Sequence, residues 1–251
     1  MLRVRPTVHT PHPEAWALLL GEMGLGEITP PPATGAPSGT AQRCFAADSG
    51  RILLQESAKP GTELVFEVRD LEKFAQWTIA DGTPVDLRTA ADGSTALAHI
   101  TAPDGLEFTA LGVDAAVDAG TPRFPQDTET PRPGTLAVLA LWNTPDVPGA
   151  SSTLANIGAK PDTTSNGGAW AQYRAKHGGF VAAHAGASRG IELSLEYSGK
   201  LEALADRLSS AGIEAQLVDE AYGRTLLVEH PDGAQLWINE RQQDLYGYSR
   251  H

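Results

Sequence analysis

Cysteine occurs once in this chain of 251 residues, at Cys44. A single thiol excludes an intramolecular disulfide and a thiolate zinc cage, and its expected role is that of a small buried hydrophobe. Basic residues are scarce, with 19 Lys and Arg against 31 Asp and Glu and a net charge of −12. A nucleic-acid backbone or an anionic membrane surface would therefore be repelled, and neither is an expected partner. No apolar run approaches the roughly 18 residues that cross a bilayer, and the charged start Met1–Pro6 leads into no hydrophobic stretch. The expectation is a soluble, cytoplasmic chain. Gly24-Leu25-Gly26 lacks the rest of a dinucleotide fingerprint, and neither a phosphate loop nor a serine-centred elbow occurs, so no nucleotide cofactor is expected.

What the chain does have is a repeat. Gly50-Arg51-Ile52-Leu53-Leu54-Gln55 returns as Gly179-Phe180-Val181-Ala182-Ala183-His184, Gly61 as Gly190, and Glu63–Val68 as Glu192–Tyr197 at unchanged spacing. After a one-residue insertion, Leu71, Glu72, Ala75 and Gly82 find Leu201, Glu202, Ala205 and Gly212, and Pro103-Asp104-Gly105 finds Pro231-Asp232-Gly233. Tandem duplication of one domain is the simplest cause. The length suits two domains of roughly 100–150 residues, and a hydrophobic content of 41% suffices for a core in each. The proline-rich stretch 112–134 reads as an extended crossover strap, giving domains over 1–111 and 135–251; Pro30–Gly39 reads as a surface loop.

Each copy shows one element order. Val4–Val8 and Leu136–Trp142 are strand-like; Glu14–Leu20 and Ser152–Ile157 read as helices stopped by Gly21 and Gly158. Hairpins follow over about 42–55 and 169–184, then a strand, the helices Leu71–Ala80 and Lys200–Ser210, and three more strands. Strand, helix and three strands thus recurs twice per domain. Alternation places Leu193, Leu195 and Tyr197 on one face of their strand and Glu192, Ser194 and Glu196 on the other, which meets solvent or a cavity.

This pattern resembles the vicinal oxygen chelate superfamily of glyoxalase I, bleomycin-resistance proteins and extradiol dioxygenases. The resemblance rests on Val228–Trp237, similar to that family's closing hairpin, on the helix ending Leu208-Ser209-Ser210-Ala211-Gly212, and on the junction Asn143–Val147. It implies an α+β fold of tandem glyoxalase-like domains, each of two βαβββ modules whose curled mixed sheets form a cup for a small molecule. In metal-using relatives four inward side chains hold a divalent ion. The matching slots here are Arg5, Gln55, Glu63 and Thr109 in the first copy and Leu139, His184, Glu192 and Trp237 in the second. Arg5 and Leu139 cannot serve as ligands, and Thr109 and Trp237 stand where relatives place glutamate. Two donors per copy leave an ion mostly in water, so no tightly bound catalytic metal and no other cofactor are expected.

If the copies pair as glyoxalase I subunits do, one cavity combines Arg5 and Gln55 with Glu192 and Trp237, and the other combines His184 with Glu63 and Thr109. His184 and Glu63 would then form an acid–base pair, while Trp237 offers a stacking face and Glu192 a partner for a positive charge. Tyr173 is a further candidate for the cup wall; His9 and His12, flanked by prolines, read as loop residues; Trp142 and Trp170 read as packing residues. Two functions follow: metal-independent binding of a small organic molecule, or a glyoxalase-type lyase or isomerase using His184 and Glu63 or a loosely held metal. An internal pair of domains satisfies the usual dimer, so a monomer is expected.

Overall fold

The computed structural model describes residues 1–29, 42–89, 95–113, 132–220, 223–241 and 246–251. The expected Pro30–Gly39 loop and most of the 112–134 strap lie outside these residues.

The second half is the simpler of the two. β11 (Leu136–Thr144), α3 (Val147–Asn156), β12 (Lys160–Ser165), β13 (Trp170–Arg174) and β14 (Phe180–Ala185) form one module; β15 (Gly190–Tyr197), α4 (Leu201–Ser210), β16 (Ala215–Glu220), β17 (Gly223–Glu229) and β18 (Gln235–Glu240) form the next. β11 runs parallel to β14 on one side and antiparallel to β15 on the other. It fuses both modules into a nine-stranded sheet, ordered β16-β17-β18-β15-β11-β14-β13-β12-β19, where β19 is Tyr248–Arg250. The helices cover one face. Leu201, Leu204 and Leu208 of α4 are fully buried at helical spacing, each contributing about 1.5–3 kcal/mol by leaving water. Asp146 caps α3 by accepting from the Gly149 N–H.

The first half repeats this order with two breaks, at Arg5–Pro6 and at Leu64. β1 (Leu2–Val4) pairs with β7 (Val65–Val68), and β2 (Thr7–Thr10) pairs with β5 (Arg51–Glu56) and β6 (Gly61–Glu63). The single expected strand Val4–Val8 is thus two strands, interrupted at Arg5 and Pro6. Pro6 has no N–H to give a ladder. Its carbonyl still accepts from Leu53, and the Arg5 N–H donates to the Val65 carbonyl. With α1 (Pro13–Glu22), β3 (Gly26–Ile28), β4 (Gln42–Ala46), α2 (Leu71–Ala80), β8 (Val85–Thr89), β9 (Thr95–Thr101) and β10 (Glu107–Gly112), the result is two five-stranded sheets, β1-β7-β10-β9-β8 and β3-β4-β5-β2-β6. Gly21, expected to stop α1, lies inside it; the turn is made at Gly24, whose φ of 90° suits glycine.

The halves meet about an approximate dyad. Gly50 and Gly179, matching residues of the repeat, face one another: a Cβ on Gly179 would meet Val4 Cβ at 2.5 Å, and one on Gly50 would meet Val138 Cβ at 2.8 Å. Val4 N–H donates to Gly178 O and Val138 N–H to Ser49 O, at 2.9 and 2.8 Å. The aspartate of each Pro-Asp-Gly turn reaches into the opposite half. Asp104 accepts from Trp142 Nε1 and Thr144 Oγ1 at 2.9 and 2.7 Å, and Asp232 accepts from Trp16 Nε1 and Thr10 Oγ1 at 2.8 and 2.6 Å. Four cross-half bonds to carboxylates are of the stronger kind. The turns therefore join the two halves as well as close their hairpins.

Candidate functional site

The four second-half slots come together. Leu139, His184, Glu192 and Trp237 line one cavity of about 520 Å³ on the sheet face opposite the helices. Leu139 lies beside Ser194 across β11 and β15, and Ser194 lies beside Trp237 across β15 and β18. The middle of the cup therefore presents an alkyl chain, a hydroxyl and an indole. Leu141, Trp170 and Tyr248 add apolar wall. Burial raises the Tyr248 phenol above its ordinary value and keeps it protonated.

One end of the cup is polar and closed. Glu196 is buried and accepts from Gln172 Nε2 and Arg241 Nη1, both at 3.0 Å. Burial pushes its carboxyl above the usual range, opposed by Arg241 and the Gln172 bond. Arg241 also lies 3.6 Å from Asp162 and over the Phe180 ring at 5.5 Å. Arg224, farther along the wall, is held by Glu240 at 2.6 Å and by Glu202. At the mouth, Asn143 Nδ2 donates to Glu192 Oε1 at 2.8 Å, and Asn143 Oδ1 lies 3.2 Å from His184 Nδ1. The Trp170 ring meets the His184 ring edge-on, centroids 5.8 Å apart.

The first half puts different chemistry in the matching positions. Glu67, the counterpart of Glu196, is fully buried among Arg3 at 2.8 Å, Arg51 at 3.1 Å and Arg5 at 3.3 Å. The matching residues in the second half are Ala137, Phe180 and Leu139. Three buried guanidinium side chains thus stand where the second half has one small and two apolar side chains, of which Leu139 lines the cavity. Arg5 is a structural ion-pair partner here. Gln55 bonds Gln42 at 3.2 Å, and Glu63 faces His9 Nε2 at 3.3 Å. Thr109 is half-buried beside His99 and Val65.

The cross-paired cavities expected from the sequence are not formed. His184 shares its cavity with Glu192 and Trp237, whereas Glu63 lies in the other half with His9, so no His184–Glu63 pair exists. β11 hydrogen-bonds both modules of its own half from Leu139 onward, and its first residues, Leu136 and Val138, bond Asp48 and Ser49 of the other half. Tyr173 is also corrected: it is buried in the core with Ala171, because alternation along β13 turns Trp170 and Gln172 to the cavity instead. His9 belongs to β2, not to a loop. Asn143, Trp170, Gln172, Glu196, Arg241 and Tyr248 also line the cavity, and of these the sequence signals only Glu196, through the alternation Glu192-Ser194-Glu196.

The donors present do not fit the divalent metal that the resemblance implies. Of the four slots only His184 and Glu192 carry a donor, the other two being Leu139 and Trp237, and Asn143 sits between the donors and bonds both. Among the described residues, no three His, Cys, Asp or Glu side chains are grouped to hold an ion. Nor, among them, is any helix long and apolar enough to cross a membrane.

No family model and no curated protein matches the sequence. Solved structures do match, and over nearly the whole chain. A catechol 2,3-dioxygenase aligns with 100% of this chain and 96% of its own at 15% identity and a TM-score of 0.61. The 2,3-dioxygenase LapB from Pseudomonas sp. KL28 covers 95% and 91% at 15% identity and TM-score 0.61. An Mn(II)-bound glyoxalase from Novosphingobium aromaticivorans covers 95% and 80% at 14% identity and TM-score 0.59. This chain has the vicinal oxygen chelate fold.

Proposed function

We propose that the chain binds a small, planar organic molecule in the cup of its second half, without a catalytic metal, and that the first half is a filled structural copy. The observation that carries this is the chemistry of one cavity. Its volume of about 520 Å³ lies within the range usual for small-molecule sites. Trp170, Trp237 and Tyr248 supply flat faces, and the polar groups gather at one end and at the mouth. Arg241 and Arg224 are engaged by carboxylates, so the wall offers hydrogen bonds and aromatic stacking more than free positive charge. Glu192, whose carboxylate accepts from the neutral amide of Asn143, favours a neutral or cationic ligand over an anionic one.

The alternative, a lyase or isomerase of the glyoxalase type, would have to use His184 with Glu192, because Glu63 is in the other half. The two are separated by calorimetry with a panel of planar neutral, cationic and anionic aromatic compounds. The proposal predicts saturable one-site binding of neutral or cationic members without consumption of the compound. Trp237→Ala should weaken it about tenfold or more, since an aromatic face is worth about 0.5–1.5 kcal/mol beyond its area. Tightest binding of anionic members, or affinity unchanged in Trp237→Ala, would overturn it.

A further inference from the structure

Resting on that reading of the cup, we infer that Glu192 and Asn143 preset the His184 ring so that Nε2 carries the lone pair and accepts a hydrogen bond from an N–H or O–H on the bound molecule. The Glu192 carboxylate only accepts hydrogen bonds. The Asn143 group 2.8 Å from it must therefore be the amide nitrogen, which fixes which way the amide faces. Asn143 Oδ1 is left toward His184 Nδ1 at 3.2 Å. A carbonyl oxygen also only accepts, so Nδ1 must be the protonated nitrogen. In a neutral imidazole the other nitrogen, Nε2, then holds the lone pair. Free histidine favours the opposite tautomer, so the arrangement is one that the site imposes.

Three further observations support this role. Asn143 and His184 are cross-strand partners on β11 and β14, and Trp170 is the partner of His184 on β13, so the ring is flanked on both sides by the sheet. The edge-on contact with Trp170 restricts rotation of the imidazole. His184, Asn143 and Glu192 all line the cavity that also holds Trp237. The matching positions of the first half, His9, Gln55 and Glu63, do not reproduce the arrangement: there the imidazole faces the carboxylate directly, and glutamine stands in place of His184. Asn143 acts as a positioning residue, and His184 is the group that touches the ligand.

The test has two arms. Long-range nitrogen–proton NMR of the ligand-free chain at mildly alkaline pH reads the tautomer of His184 directly. We expect protonated Nδ1 in the wild type, and reversion toward protonated Nε2 in Asn143→Leu and in Glu192→Ala, both rim substitutions remote from the core. Protonated Nε2 in the wild type, or a tautomer indifferent to both changes, overturns the proposal. The second arm titrates indole against 1-methylindole, which keeps the ring and loses the N–H. A preference for indole of about fivefold is expected, in line with the net worth of one hydrogen bond, about 0.5–1.5 kcal/mol, and it should vanish in His184→Phe. Equal binding of the two probes refutes the acceptor role and leaves the cup reading intact. Binding of neither refutes both.

Discussion

Glu67 and Glu196 occupy one position of the repeat and are both buried, yet their surroundings have diverged. Three arginines surround the first; the second has one arginine, a glutamine and an open cavity beside it. Burial raises the Glu196 carboxyl, so between the ordinary carboxylate value and the raised one the folded chain keeps a proton that the unfolded chain has released. Stability contributed by Glu196 is then fully present below the unfolded value and is lost as pH rises through the folded one. Glu196→Gln should remove that part of the decline. Urea unfolding of wild type and variant at a series of pH values checks this, with curves converging toward acid and separating above it; parallel curves would contradict it. At this scale the sequence was only partly legible. Alternation places Glu192, Ser194 and Glu196 on the cavity face, but it cannot say which of two faces a strand such as β13 turns inward, and it is Trp170 rather than Tyr173 that lines the cavity.

Among the elements, helices were the easiest to read, since Leu71–Ala80 and Leu201–Ser210 carry an apolar stripe and definite ends. β12 is not locatable from the sequence: Lys160–Ser165 contains Pro161 and five polar residues, and it is a strand because β13 and β19 pair with it. β19 was missed for the same reason, since three residues carry no period of their own. The hairpin turns hold the strongest local constraint. Gly179 has a φ of 85° and no room for a methyl group, because Val4 Cβ lies 2.5 Å away across the dyad. Gly168 has a φ of 73° with nothing within 4 Å. Gly179→Ala should therefore cost about 3 kcal/mol or more and Gly168→Ala only about 1 kcal/mol, the backbone share alone. Equal losses in chemical denaturation would show that the contact between the halves is not tight.

For the whole molecule, duplication is legible as a repeat and the fold through the resemblance carried by Val228–Trp237 and Asn143–Val147; how the copies meet is not. Pairing of modules depends on which strand ends hydrogen-bond, and β11 bonds both of its own modules. The dyad instead joins Gly50 to Gly179 and ties each Pro-Asp-Gly turn to the opposite half, using residues that the sequence offered only as turn formers. The second half carries the cavity, and in the first half Arg3, Arg5 and Arg51 are buried around Glu67. The most direct measurement is a crystal structure of the chain soaked with a neutral planar aromatic compound selected by calorimetry. The account predicts density in the second-half cup, against Trp237 and Trp170 and within reach of His184 Nε2. Density in the first half among Arg3, Arg5 and Arg51, or a cation coordinated by His184 and Glu192 in place of the Asn143 bonds, would contradict it.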